Sequence, residues 1–405
     1  SIWLNLKPLF FLNNKNFNFL SVPSFLLFLS FILFLMNKII TKKEVNFSDY
    51  YLVVTLFYFL LKFTRVAEFG VDLPAIIFSI LAIYYFIKFY ESDQNFEKEE
   101  LFYLNLIFSV FSILIKLSTI PIILLTIYLY IKNFRILKLR IFNYKFLIIY
   151  LLCLIFFTQQ FIYTGCILFP TNFTCLDVSW FSTEHLKLSK QLELTNKSYS
   201  VAKDLYSPEE YLSNFNWFIF WLKRNLIEII EHLMTITLPI LVFVFFLKNE
   251  KKNYLKFKNQ FILSLFVFFS LIFWLNFSPV FRFANHIFVT LIFVIFVNIL
   301  ASRKFSIKKF MILISIFLIF NFSKNILRIK DEEKIFFGIK KMENEFLLNE
   351  ESSNEYEKIY YPNIKKNVKN GWQGRLCWDI PFICSYNQLQ IKKKNGYLII
   401  NKLVN

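Results

Sequence analysis

The sequence predicts an all-α membrane protein: about ten transmembrane helices, an outward-facing polar insertion and an outward-facing C-terminal tail. Three observations predict it. Long apolar runs recur along the 405 residues, 57% of which are hydrophobic, and a helix crosses the hydrocarbon core with ~17–25 such residues. A water-soluble fold of this length could not hide 56 Phe beside so many Ile and Leu; the exposed patches would aggregate. Finally, every second connection between the runs is basic, as expected of cytoplasmic loops, which retain Lys and Arg.

The first span is read over about Phe19 to Met36, followed by Lys38, Lys42 and Lys43. The second is Tyr50 to Phe63, short for a span, and the third Leu73 to Tyr90. The fourth and fifth, Leu101 to Ile115 and Leu117 to Ile131, flank Lys116 at a tight reversal. The segment 132–145 carries Lys132, Arg135, Lys138, Arg140 and Lys145 with no acid, and the sixth span, Phe146 to Tyr163, follows it. Beyond the polar insertion come the seventh span, Ile227 to Leu247, and a Lys-rich loop. The eighth (Phe261 to Phe277), ninth (Val280 to Leu300) and tenth (Phe310 to Phe322) complete the set. The domain reading is a six-span bundle over 1–163, the insertion over 164–226, a four-span bundle over 227–322 and the tail over 323–405.

Connections after spans one, three, five, seven and nine fall on one side, and all but the mixed-charge loop 91–100 are distinctly basic. That side is assigned to the cytoplasm. The net charge of +18 is thereby an orientation signal, and no nucleic-acid partner is expected; the partner is the lipid bilayer. The chain opens on Ser1 with no visible n-region or cleavage site, which reads as a fragment or a processed product without a signal peptide.

Cys166, Cys175, Cys377 and Cys384 all fall on the outward side, where an oxidising compartment permits disulfides. Four cysteines allow three connectivities; local Cys166–Cys175 and Cys377–Cys384 pairs are the expectation, with free thiols the alternative. Neither pair has zinc spacing or a neighbouring His. Within the insertion, Ser207-Pro208-Glu209-Glu210 is a helix start. A helix from there through Trp217, Trp221, Lys223 and Arg224 reads as interfacial, or as amphipathic and packed on the bundle.

Outward charges near span ends are the candidates for chemistry, because burying them is costly. Glu68 and Asp72 are four apart and share a face if helical, as general base or ligands of a divalent cation, with Arg65 as a phosphate partner. The plainer reading makes Asp72 the N-cap of the third span and lets Arg65 snorkel. Arg282 and His286, also four apart, follow the break at Ser278-Pro279 and suit an anionic lipid phosphate. Lys116 at the outward reversal is a third substrate-binding candidate. His185 and His232 have no visible partners and read as structural. In the tail, Trp372, Trp378 and Asp379 could contact sugar or simply belong to a disulfide-pinned loop.

The ordered segments Glu68-Phe69-Gly70-Val71-Asp72-Leu73-Pro74, Gly165 to Pro170, Ser278-Pro279 to Arg282-Phe283, and Cys377-Trp378-Asp379-Ile380-Pro381 to Cys384 carry a resemblance. Together they resemble a family of uncharacterised bacterial multi-pass inner-membrane proteins, itself similar in architecture to the GT-C glycosyltransferases. The resemblance implies a membrane glycosyltransferase or glycan polymerase for cell-envelope polysaccharide. Its donor would be a polyprenyl-phosphate-linked sugar and its acceptor a glycan, with the insertion and tail in the periplasm. It also implies an acidic, aromatic-rich segment upstream of Ser1, leaving Glu68 and Asp72 as a second-loop acidic site. A non-catalytic envelope assembly protein and a lipid-linked glycan flippase are the alternatives.

Overall fold

Helices account for most of the computed structural model, which describes residues 22–41, 45–61, 71–135, 137, 144–169, 172–178, 181, 183–249 and 259–342, and strands within 349–402. In chain order the helices are α1 (Val22–Ile40), α2 (Phe47–Leu61), α3 (Asp72–Glu91), α4 (Asn95–Ile115), a 3-10 segment (Leu117–Ile122) and α5 (Ile123–Lys132). Then come α6 (Tyr144–Thr164), α7 (Thr183–Asn196), α8 (Pro208–Leu212), α9 (Asn216–Phe246), α10 (Gln260–Phe277), α11 (Phe281–Ala301) and α12 (Ile307–Met342). Six of these, α1, α3, α6, α9, α10 and α11, are long and apolar enough to cross a membrane, while α2 and the 117–132 stretch are apolar but shorter. The chain divides into two compact units; described residues 23–319 belong to the first, and residue 22 with those from 320 onward to the second.

The core of the first unit lies around α2, α3 and α11. Residues Tyr50 to Leu60 of α2 are all buried, as are most of α11. Aromatic rings fill the space between helices: Phe57 lies 5.4 Å from Phe243 and Tyr51 5.2 Å from Phe293, both edge-on, the geometry ring quadrupoles favour. By contrast α6, α9 and α10 leave Leu154, Ile227, Phe245 and Phe261 more than half exposed. An apolar surface of that extent is a lipid-facing one, and the chain is a multi-pass membrane protein.

A ladder of buried hydroxyls and amides fixes α3, α4 and α5 against one another. Ser79 Oγ and Ser112 Oγ are 2.7 Å apart, Asn105 Nδ2 donates to the Ala82 carbonyl at 2.8 Å, and Thr126 Oγ1 donates to Asn105 Oδ1 at 2.7 Å. Polar groups in an apolar interior need such partners, so the ladder sets the helix register as well as filling space.

Helix ends gather in two groups. At one end Asp72 opens α3 beside Lys116, which follows α4, and beside Arg282, near the start of α11. At the other, the Ser48 amide of α2 donates to Glu91 Oε1 at 2.7 Å, and Lys132 Nζ lies 5.3 Å from the Tyr90 ring centroid. Tyr50 Oη donates to the Arg303 carbonyl at 3.5 Å. There too a two-residue ladder pairs β1 (Lys248–Asn249) with β2 (Arg303–Lys304). Lys132, Lys248, Arg303 and Lys304 thus share the end away from Asp72.

The structure departs from the sequence reading in three places. The helix capped by Ser207 does form, with a reciprocal capping box to Glu210, but it stops after Leu212. The chain turns through a 3-10 segment in which Phe215 takes φ 57, and α9 then runs unbroken for 31 residues from Asn216. Trp217 to Arg224 are therefore the first turns of a long helix, not a separate interfacial one, and the insertion ends about ten residues earlier than expected; no Gly or Pro lies between Asn216 and Leu238 to break it. Second, α4 begins at Asn95, not Leu101, because its charged first turn, with Glu97, suits a helix N-terminus. Third, the tail is not purely helical or featureless. It contributes β3 (Asn349–Ser353), β4 (Glu357–Tyr361), β5 (Ile383–Cys384), β6 (Leu389–Lys394) and β7 (Tyr397–Lys402). β4 pairs antiparallel to β3 and parallel to β5, and β6 pairs antiparallel to β7. Ile359, Tyr360 and Tyr361 in β4 and Tyr397, Ile399 and Ile400 in β7 are residue types that favour strand, so "all-α" holds for the apolar part of the chain only.

Candidate functional site

Three chain breaks build the site. The first is the start of α3, where Pro74 sits in the first turn, a position that tolerates its missing amide. Val71 is the residue before the helix and Asp72 the first within it; no side chain caps this end. The N-cap role foreseen for Asp72 is thus not what its carboxylate does. That carboxylate turns to two cations.

The second break is at Lys116, whose backbone is extended (φ −150, ψ 116) between α4 and the 3-10 segment. Its amide donates to the Ser112 carbonyl at 2.9 Å, and Thr119 Oγ1 donates to its carbonyl at 2.9 Å. Ser112 Oγ in turn lies 3.0 Å from the Ala75 carbonyl of α3 and 2.9 Å from Thr119 Oγ1. This hydroxyl knot ties the break to the first turn of α3 and brings Lys116 Nζ onto Asp72 Oδ1.

The third break is Ser278-Pro279-Val280, between α10 and α11. Two indoles hold it: Trp221 Nε1 donates to the Pro279 carbonyl and Trp274 Nε1 to the Val280 carbonyl, each at 2.9 Å. Asn196 Nδ2 of the insertion donates to Ser278 Oγ at 3.0 Å. With the break pinned, Arg282 Nε reaches Asp72 Oδ2 at 3.3 Å. The next residue, Phe283, places its ring centroid 3.0 Å from Lys116 Nζ and 5.1 Å from Arg282 Cζ, so one aromatic face serves both cations.

The electrostatics follow from burial. Lys116 and Asp72 side chains are 16% and 18% exposed, whereas Arg282 is 50% exposed. Desolvation pushes the Lys116 ammonium down to about 8; Asp72 opposes that shift, and Arg282 adds to it. One carboxylate, with one oxygen to each partner, serves two cations, which leaves the cluster net positive. Arg282 commits only Nε among the described residues. Such an arrangement accepts an anion. It offers a divalent cation little, and among the described residues no group of three His, Cys, Asp or Glu is placed to hold a metal.

His286, one turn into α11 from Arg282, is 2% exposed, and its Nδ1 meets no hydrogen-bond partner among the described residues. His232, which looked partnerless in the sequence, has its Nε2 3.0 Å from Asn285 Oδ1 and packs 5.3 Å from the Phe281 ring. Arg65 and Glu68 lie outside the described residues, as do Cys377, Trp372, Trp378 and Asp379. Cys384 falls in β5, with its side chain outside the description.

Cys166 and Cys175 are joined by a disulfide. The loop it closes begins at Gly165, whose φ of +74 suits glycine, and a Cβ there would meet Phe181 and Val178 at 3.0 Å. The Leu176 amide donates to the Gly165 carbonyl at 2.9 Å, drawing the two cysteines side by side.

Asp72, Lys116 and Arg282 were separate candidates in the sequence; the structure makes them one site. Sequence reasoning gave no role to Phe283 or to the Ser112–Thr119 knot. The adjacency Arg282-Phe283 beside the break at Ser278-Pro279 was the available signal for the first.

A family model described as a domain of unknown function (DUF8201) matches residues 1–289, and the chain belongs to that family. The match takes in Asp72, Lys116, Arg282 and His286 but stops short of the strand-bearing tail. No curated protein and no solved structure matches the chain.

Proposed function

We propose that this membrane protein is a glycosyltransferase or glycan polymerase of the bacterial inner membrane, acting on a polyprenyl-phosphate-linked sugar at its outer face. The observation that carries the reading is the cluster of two cations on one carboxylate, Lys116–Asp72–Arg282, at the end away from the basic connections. Basic loops stay in the cytoplasm, which puts the cluster, the insertion and the tail on the periplasmic side. Ten segments, α1 to α4, the 3-10 segment continued by α5, α6 and α9 to α12, then cross the bilayer, with α2 and the 117–132 stretch the short ones among them.

Arg282 and Lys116 hold the phosphate of the donor. The acceptor hydroxyl attacks the anomeric carbon; its proton passes to a carboxylate, the sugar–phosphate C–O bond breaks, and the electron pair stays on the phosphate oxygen. The two cations stabilise the charge that develops there. Asp72 takes the role of base because an arriving phosphate competes for Arg282 and frees Oδ2. Arg65 and Glu68, seven and four residues before Asp72 in the sequence, are the further candidates for phosphate partner and base.

The test uses the full chain in nanodiscs with polyprenyl monophosphate as probe, alongside envelope glycan from cells carrying each variant. Arg282→Ala weakens binding at least tenfold. Asp72→Asn, which removes the competing carboxylate, binds the probe as well as or better than wild type but gives no glycan product. Wild-type glycan from both variants, correctly inserted, would exclude this assignment. Such an outcome favours a non-catalytic envelope assembly protein, in which the cluster is only a structural lock. Wild-type binding with lost glycan export and retained transfer points to a flippase.

A further inference from the structure

His286 is a buried polar group at this end of the bundle. Its side chain is 2% exposed, and Nδ1 is without a hydrogen-bond partner among the described residues. An unmet buried donor or acceptor is destabilising, and an apolar residue of similar size would carry no such cost. The neighbours on the same helix are otherwise well served: Thr290 Oγ1 donates to the His286 carbonyl at 2.6 Å, and Asn285 pairs with His232. The unmet atom is therefore local to the imidazole.

Position gives that atom a use. Residues four apart share a helix face, and the α-helical rise sets His286 about 6 Å below Arg282 along the axis. Arg282 is turned to Asp72, and the Phe283 ring between the two positions carries Lys116. Nitrogen donors thus stand at two depths on one side of α11, Arg282 half exposed and Lys116 mostly buried above, and His286 closed over below.

We propose that His286 is the inner contact of the anion site: its Nδ1–H donates a hydrogen bond to one oxygen of a phosphate group seated against Arg282 and Lys116. This rests on the reading of the cluster as an anion site and adds the residue that fixes the depth and orientation of the phosphate. It acts by binding, and no proton leaves the ring.

Three variants in nanodiscs test this, with polyprenyl monophosphate, inorganic phosphate and phosphatidylglycerol as separate probes. His286→Leu removes the nitrogen and fills the space. It raises the ligand-free melting midpoint and weakens the bound probe at least tenfold. His286→Asn returns an amide near the Nδ1 position and recovers most of the affinity. A histidine that only packs gives the opposite pattern, with a lower midpoint and unchanged affinity in the folded fraction, and that pattern overturns the proposal. If Arg282→Ala loses binding while His286→Leu does not, the proposal fails and the anion site stands. If wild type binds none of the three probes, the anion site itself fails, and this contact with it. Which probe responds tells a lipid-linked phosphate from a bilayer headgroup or free phosphate.

Discussion

Replacing Asp72 by Asn removes one charge from the Lys116–Asp72–Arg282 cluster while keeping its shape, and the cost is smaller than the burial suggests. Breaking a buried ion pair whose remaining charge cannot be discharged costs about 3–5 kcal/mol. Lys116 can be discharged. Its folded value is about 8, so at pH 7 ionisation stabilises the folded chain by only about 1 kcal/mol. Without Asp72 the value falls, and once it passes the pH of the assay the side chain simply loses its proton. The loss at Lys116 is therefore capped at about 1 kcal/mol, and the half-exposed Arg282 pair adds at most about 0.5 kcal/mol.

The pH dependence follows from the sign of the shift. The folded value of Lys116 lies below its ordinary 10.5, so between about 8 and 10.5 the unfolded chain binds more protons and stability rises with pH. In Asp72→Asn that window extends to lower pH. The two proteins converge above pH 8, where Lys116 is neutral in both, and diverge below it. Tryptophan-fluorescence melts in detergent between pH 6 and 9.5 read this out. The expected drop at pH 7 is roughly 1–3 °C, shrinking by pH 9.5 to the small part that the Arg282 pair carries. A drop several times larger, or one that is the same at both ends of the range, would refute the reasoning.

Lys116 should also be the most acylation-prone lysine at the site end. Near pH 8 about half of it is free amine, against roughly one part in 300 for an ordinary lysine; mass spectrometry after brief treatment with an amine-reactive ester should show labelling at least ten times faster than at exposed Lys190, and less in Lys116-shielding polyprenyl monophosphate. Ser112→Val, which cuts the knot between the α3 start and the Lys116 break, should lower stability by about 2 kcal/mol and weaken anion binding, since Lys116 is no longer held toward Asp72; unchanged melting and binding would show that the knot is not what positions it.

Much of this was legible before any coordinates. Apolar runs located most of the helix ends to within a few residues, and the residue types at those ends marked Asp72, Lys116 and Arg282. What a one-dimensional reading could not supply is that the three meet. Asp72 and Lys116 are 44 residues apart and come together only because a hydroxyl in α4 bonds a carbonyl in α3. Arg282 joins them only because two indoles fix the preceding proline turn. The start of α9 was misplaced for a related reason. Trp217, Trp221, Lys223 and Arg224 have the composition of a membrane-surface helix, yet the two Trp side chains are buried against neighbouring elements, and the backbone has no reason to stop. The strands of the tail were missed because segments of two to six residues signal weakly beside twenty-residue apolar runs.

The ladder of Ser79, Asn105, Ser112 and Thr126 has a consequence for biogenesis. Each of these side chains is satisfied by a neighbouring helix, so α4 or α5 released singly into lipid would carry unmet polar groups at several kcal/mol apiece. α5 alone, at ten residues, reaches about 15 Å, half the hydrocarbon thickness. These segments are then expected to leave the translocon as one preassembled helical unit with α3, and the site forms at its rim in the same step.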